Sequence, residues 1–215
     1  MSIDKTSFRK ECIKKLKKAS TVSKIYKDAK VSSYLKEVLK DLDYSCILFY
    51  LPLPFEVDLQ DLLKNERRKQ KECYVPFMLG KSFKMVRYRL PLETAKFGLL
   101  EPKKSLLNIK NVDVVIVPVV GVDIDAKRVG FGKGMYDRFF STLTKKPLTI
   151  FVQLQECLCD EKITDYYDVQ ADIYITPKNI KYKKTRKLNV KSDSLRRWHC
   201  HSQRSSRIFD LKKVK

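Results

Sequence analysis

Residues Val112 to Val120 read Val-Asp-Val-Val-Ile-Val-Pro-Val-Val. β-Branched residues dominate this run, and apolar side chains do not alternate with polar ones. A strand of this kind is covered on both faces, as in the centre of a parallel sheet. Parallel strands need crossovers, so the rest of the chain must supply helices between strands. It does so. Shorter apolar runs at 45–51, 72–77, 83–88, 148–154 and 171–176 predict further strands. Helical spacing of Phe8, Cys12, Ile13 and Leu16, opened by Asp4, predicts a helix over 4–18. Similar patterns predict helices at 20–42 (broken near Lys30, with Ile25 on its apolar side), at 58–68 behind Asp58, and at 135–143. The expected fold class is α/β, with a mostly parallel sheet flanked by helices.

A chain of 215 residues can bury one sizeable core of this type. It has no apolar run of membrane-spanning length and no apolar segment of secretory type near Met1. Its six cysteines are scattered and lack zinc spacing, so a reduced, cytoplasmic protein is expected. The net charge is +21, but Lys178 to Lys215 carries 14 basic residues against two acidic ones. More than half of the excess thus lies in a polar stretch with little periodicity. Two parts are expected: a domain over 1–177, and a basic extension over 178–215 that is disordered in isolation.

The chemistry concentrates after the apolar strand, in Arg128-Val-Gly-Phe-Gly-Lys-Gly-Met-Tyr-Asp137. Glycines at 130, 132 and 134 leave backbone N–H groups unshielded, and a helix begins at once. Arg128 and Lys133 add fixed positive charge, so the pattern suits a polyphosphate, with Asp137 available to Mg²⁺. The spacing is neither a dinucleotide fingerprint nor a Walker loop. A plain βα turn with a helix-capping aspartate would share it.

This decapeptide, preceded by Val117-Pro-Val-Val-Gly-Val-Asp123, resembles the signature of the 5-formyltetrahydrofolate cyclo-ligase family. Tyr50-Leu-Pro-Leu-Pro-Phe-Glu56, Phe97-Gly-Leu-Leu-Glu-Pro102 and Tyr167-Asp168-Val-Gln-Ala-Asp172 are similar to other family segments, in the same order. The resemblance spans about residues 3 to 177. It implies a three-layer αβα fold like that of ribose-5-phosphate isomerase and glucosamine-phosphate deaminase. It also implies a reaction: ATP and 5-formyltetrahydrofolate give 5,10-methenyltetrahydrofolate, ADP and phosphate, through phosphorylation of the formyl oxygen and ring closure by N10. ATP would lie against Lys5, Arg9, Arg128, Val129, Gly130, Phe131, Gly132, Lys133, Gly134, Met135 and Tyr136. Lys133 and Arg128 would act on the transferring phosphoryl group. The folate would meet Glu56, Leu51, Phe131 and Tyr136, and Mg²⁺ would be held by Asp137 and Asp168. Met135 departs from the family, which usually carries an aromatic residue there. Leu99 and Leu100 stand near a place where some relatives set an aromatic against the pterin. A monomer is the default expectation.

The tail supports a rival reading. Lys183-Lys-Thr-Arg-Lys187, Arg196-Arg-Trp-His and Arg204-Ser-Ser-Arg207, with Tyr182, Trp198 and Phe209 among them, suit electrostatic and stacking contacts with RNA. His199-Cys-His201 is a weak metal pattern. A nucleic-acid binder would leave Lys5, Arg9 and the glycine loop unexplained. A folate- or nucleotide-binding relative without turnover is the third alternative.

Overall fold

The computed structural model describes residues 3–94, 100–102, 109–183 and 209–212. In chain order the elements are α1 (Lys5–Thr21), α2 (Lys24–Asp41), β1 (Cys46–Leu48), α3 (Gln60–Arg68), β2 (Glu72–Leu79), β3 (Ser82–Arg87), β4 (Leu92–Thr94), β5 (Leu100–Pro102), β6 (Val114–Pro118), β7 (Gly121–Val122), β8 (Arg128–Val129), α4 (Met135–Phe140), β9 (Leu148–Val152), β10 (Ile173–Ile175), β11 (Ile180–Lys183) and β12 (Phe209–Lys212). The main sheet runs β12-β11-β10-β9-β6-β1-β2-β3. Its five inner strands, from β10 to β2, pair in parallel. Strands β3, β11 and β12 close the two edges antiparallel.

The apolar run is β6, at the middle of this sheet and buried along its whole length. Its side chains part by the two-residue period of a strand. Val114 and Ile116 join the core beneath α1, α2 and α3, whereas Val115 and Val117 join the opposite core with Phe139 of α4. Helices therefore cover both faces, which makes the three layers.

Three details differ from the sequence expectation. The helix predicted over 20–42 does not break near Lys30. The break lies earlier, where Ser23 takes a left-handed φ of 54° and starts an unbroken α2. Ile25 faces solvent instead of the core (88% exposed). The helix predicted to reach residue 143 ends at Phe140. The sheet also passes the expected boundary at 177. Ile180 is buried in β11, and Lys181 buries its stem while its ammonium pairs with Glu156 at 2.6 Å. Pairing supplied by β10 outweighs the polar composition here. The basic clusters from Lys184 onward, Trp198, His199 and His201, together with the expected disorder of 184–208, lie outside the described residues. So do residues 97–99 of the Gly-x-x-Glu-Pro segment.

Asp4 caps α1 through its carboxylate, which accepts from the Thr6 and Ser7 N–H groups at 3.0 and 3.1 Å. The helix buries Phe8, Cys12 and Leu16 and rests on Gly121 of β7. A Cβ at Gly121 would fall 2.5 Å from the Phe8 ring and 3.2 Å from Cys12 Sγ. Gly121→Val should therefore lift α1 and cost roughly 1–3 kcal/mol, a Tm lower by roughly 2–10 °C in a thermal melt. An unchanged Tm would show that α1 is not seated as tightly as this contact requires.

Candidate functional site

Strand β1 is followed by a crossover to β2 on one side, while β6, β9 and β10 extend the sheet on the other. The crevice between the carboxyl ends of β1 and β6 is thus a topological switch point, where open α/β sheets bind ligands. A cavity of about 340 Å³ opens there. Tyr50, Leu51, Leu53 and Glu56 line it from the segment after β1, and Pro118 from the end of β6. Pro76, Met78 and Phe83 contribute from the β2–β3 hairpin, and Arg128, Phe131 and Lys133 to Tyr136 from the glycine loop and α4.

The 50–56 segment is held in shape by the Tyr50 hydroxyl, which donates to the Val57 carbonyl at 2.6 Å. Glu56 accepts from the Leu53 N–H at 2.9 Å. Burial pushes the Glu56 carboxyl up to about 7, although that N–H and the charges of Arg128 and Lys24 pull it back. An acid poised near neutrality in a mostly apolar cavity is a mark of a ligand site. Phe55 and Phe131, with ring centroids 5.4 Å apart, form an aromatic corner beside it.

Arg128 is buried, and its guanidinium lies 5.0 Å over the Tyr136 ring and 3.5 Å from an Asp137 oxygen. Gly130 makes room for it, since a Cβ there would come within 2.7 Å of the guanidinium carbon. Its Nε is buried and makes no hydrogen bond within the described residues, a donor suited to a ligand's acceptor. Arg128 therefore belongs to the cavity wall as much as to the loop. Val129 turns its side chain into the core, and its carbonyl accepts from Val120 N–H at 3.0 Å. The expected nucleotide contact is thus not one its side chain can make, because β8 must pair with β7.

Lys5 and Arg9, one turn apart on α1, both reach the loop region. Arg9 Nε donates to the Gly130 carbonyl at 2.8 Å. Lys5 Nζ pairs with Asp168 and, at 3.0 Å, with Asp165. Burial alone would lower the Lys5 pKa, but hydrogen bonds and charge from Asp168 and Asp165 hold it above its ordinary value. Asp137 accepts from the Val169 N–H at 3.2 Å, which sets its carboxylate beside the Asp168–Val169 peptide. Asp137 and Asp168, far apart in sequence, thus share one corner of the loop.

Leu51, Met135 and Tyr136, expected at the ligands, line the cavity. Sequence reasoning missed Tyr50, Leu53, Pro76, Met78, Phe83 and Pro118, which carry no charge and read as ordinary core. It also missed Asp165, whose place three residues before Asp168, with two tyrosines between, was the available signal. Among the described residues no group of three or more His, Cys, Asp or Glu side chains could hold a metal alone. No helix among them is long and apolar enough to cross a membrane.

Known proteins resemble this chain over most of its length. A 5-formyltetrahydrofolate cyclo-ligase of Mycoplasma pneumoniae is 26% identical over 174 residues, covering 80% of this chain and 98% of its own length. One from Mus musculus is 25% identical over 142 residues, covering 59% of this chain and 70% of its own length. The solved structure of Aquifex aeolicus 5,10-methenyltetrahydrofolate synthetase superposes with a TM-score of 0.67 at 31% identity, over 86% of this chain and 95% of that one. The sequence profile of the 5-formyltetrahydrofolate cyclo-ligase family matches residues 1–177, and the chain belongs to that family.

Proposed function

We propose that this chain closes 5-formyltetrahydrofolate to 5,10-methenyltetrahydrofolate at the expense of ATP, with ADP and phosphate released, as the names of its relatives suggest. The observation that carries the reading is continuity. One segment, Arg128 to Tyr136, both forms the glycine loop and lines the apolar cavity that holds Glu56. A phosphoryl donor on the loop and a pterin in the cavity would meet at that segment. The site then works chiefly by positioning and charge stabilisation.

In this scheme Glu56 accepts hydrogen bonds from the pterin, and Leu51, Phe131 and Tyr136 pack against it. Lys5, Arg9, Lys133 and the N–H groups of the glycine loop take the phosphates. The formyl oxygen attacks the terminal phosphorus and ADP leaves. N10 then attacks the activated formyl carbon, the C–O bond breaks, and phosphate departs while the N10 proton passes to solvent. Arg128 and Lys133 stabilise negative charge on the transferring group throughout. Asp137 and Asp168 suit Mg²⁺, which takes one or two carboxylates and completes its shell with phosphate oxygens and water. When bound, the ion would neutralise charge on those oxygens. Lys5, paired with Asp168, holds a positive charge in the same corner. A cytoplasmic setting suits these soluble substrates.

The test is to mix the purified full chain with 5-formyltetrahydrofolate, ATP and Mg²⁺ and to follow methenyltetrahydrofolate by absorbance. Product formation that needs all three components supports the proposal. Absence of both product and ADP release overturns it in favour of a binding protein without turnover.

A further inference from the structure

Arg138 lies one turn inside α4, outside the cavity, yet its guanidinium reaches back over the start of its own helix. Nε donates to the Lys81 carbonyl at 2.9 Å, and Nη2 donates to the same carbonyl and to that of Lys133. Lys81 sits at the turn of the β2–β3 hairpin, next to Gly80 with its φ of 56°. One cation thus ties the hairpin that walls the cavity to the loop that carries Lys133. Gly134 has a φ of 57°, and a Cβ there would come within 3.0 Å of Arg138 Nη1, so the approach needs glycine.

The direction of these bonds has a consequence for the backbone. In a trans peptide the carbonyl of one residue and the N–H of the next point opposite ways. With the Lys133 carbonyl turned to Arg138, the Gly134 N–H is turned away from Arg138, and Gly134 is also one of the residues that line the cavity. Gly134, at positive φ, places little steric restraint on its side of this peptide. Were it to flip, a carbonyl oxygen would face the phosphate in place of a donor.

We infer that Arg138 is a positioning residue, which locks the Lys133–Gly134 peptide so that the Gly134 N–H is presented to the transferring phosphoryl group. This rests on the proposed phosphate role of the loop. Arg138 itself is exposed and touches no substrate, so its removal leaves no hole in either core.

The full chain carrying Arg138→Ala is compared with the unaltered protein. Loss of one oriented donor should lower kcat by about tenfold or more, with KM for 5-formyltetrahydrofolate within about twofold. Added guanidinium ion should restore part of kcat. By ¹⁵N NMR, the β,γ-imido analogue of ATP with Mg²⁺ should shift the Gly134 amide in the unaltered protein and shift it much less in the variant. If the alanine variant melts early, Arg138→Met, which keeps much of the stem and removes every donor, takes its place in the same measurements. An unchanged kcat, or a full Gly134 shift in the variant, overturns the inference. If the analogue shifts none of the amides of Gly130, Gly132 and Gly134 even in the unaltered protein, the phosphate-loop reading itself has failed.

Discussion

Lys133→Ala is expected to reduce kcat by about 10²–10³-fold while leaving 5-formyltetrahydrofolate affinity within a few-fold. The expectation follows from where the residue stands. Lys133 lies between Gly132 and Gly134, whose φ values of 89° and 57° give the loop a course that residues with a Cβ rarely follow. Its side chain is exposed at the rim of a cavity whose apolar wall includes Leu51, Phe83 and Tyr136. Removing it takes a positive charge from the proposed phosphate side and little apolar surface from the proposed folate side. A charge acting on the transferring phosphoryl group is felt mostly in the transition state, so the loss should fall on kcat and not on KM for the folate. Lys133→Arg should recover only part of the rate, because a planar fork does not occupy the place of a compact ammonium. A near-normal kcat for Lys133→Ala, measured by methenyltetrahydrofolate absorbance, would remove Lys133 from the chemistry.

Asp165 apart, the parts of the candidate site that carry charge or special backbone geometry stand out in the sequence, and the parts that carry shape do not. Gly130, Gly132 and Gly134 stand out because few other roles need glycine at that spacing. Lys5 and Arg9 stand out only beside the loop they serve, since α1 bears many other lysines. By contrast Pro76, Met78 and Phe83 are apolar residues of a hairpin, and nothing local says that they face a cavity instead of a core. The same holds for fold details. The nine-residue run named β6 as the central strand because burial on both faces leaves a compositional mark. The left-handed Ser23 leaves none, because the residue is not glycine, so the helical pattern runs on from Ser20 and counts Ile25 on the apolar side. Strand β11 is hidden by its lysines: Lys181 buries its stem while its charge finds Glu156, and Lys183 donates to the Gln170 side-chain oxygen at 2.7 Å.

Glu56 is expected to make folate affinity fall steeply in acid. Its carboxyl titrates near 7 in the free protein because burial disfavours the charged form. A pterin that donates hydrogen bonds to Glu56 prefers the carboxylate. Below pH 7 binding must therefore expel a proton, and affinity should drop by roughly tenfold per pH unit as the free carboxyl becomes protonated. Glu56→Gln should flatten that slope and weaken binding most above pH 7. The effect on stability without ligand has the opposite sign. Between the ordinary value of 4.5 and about 7, the folded chain holds a proton that the unfolded chain has released. Stability contributed at this position is therefore intact below pH 4.5 and declines as pH rises toward 7. Glu56→Gln should match the unaltered protein in acid and exceed it in Tm above pH 7. Calorimetry of 5-formyltetrahydrofolate binding in two buffers of different ionisation heat would count the expelled proton directly. A pH-independent affinity from 5 to 8, with no proton released, would place the pterin away from Glu56. In that case the raised pKa would reflect burial of an acid that serves only to shape the 50–56 segment.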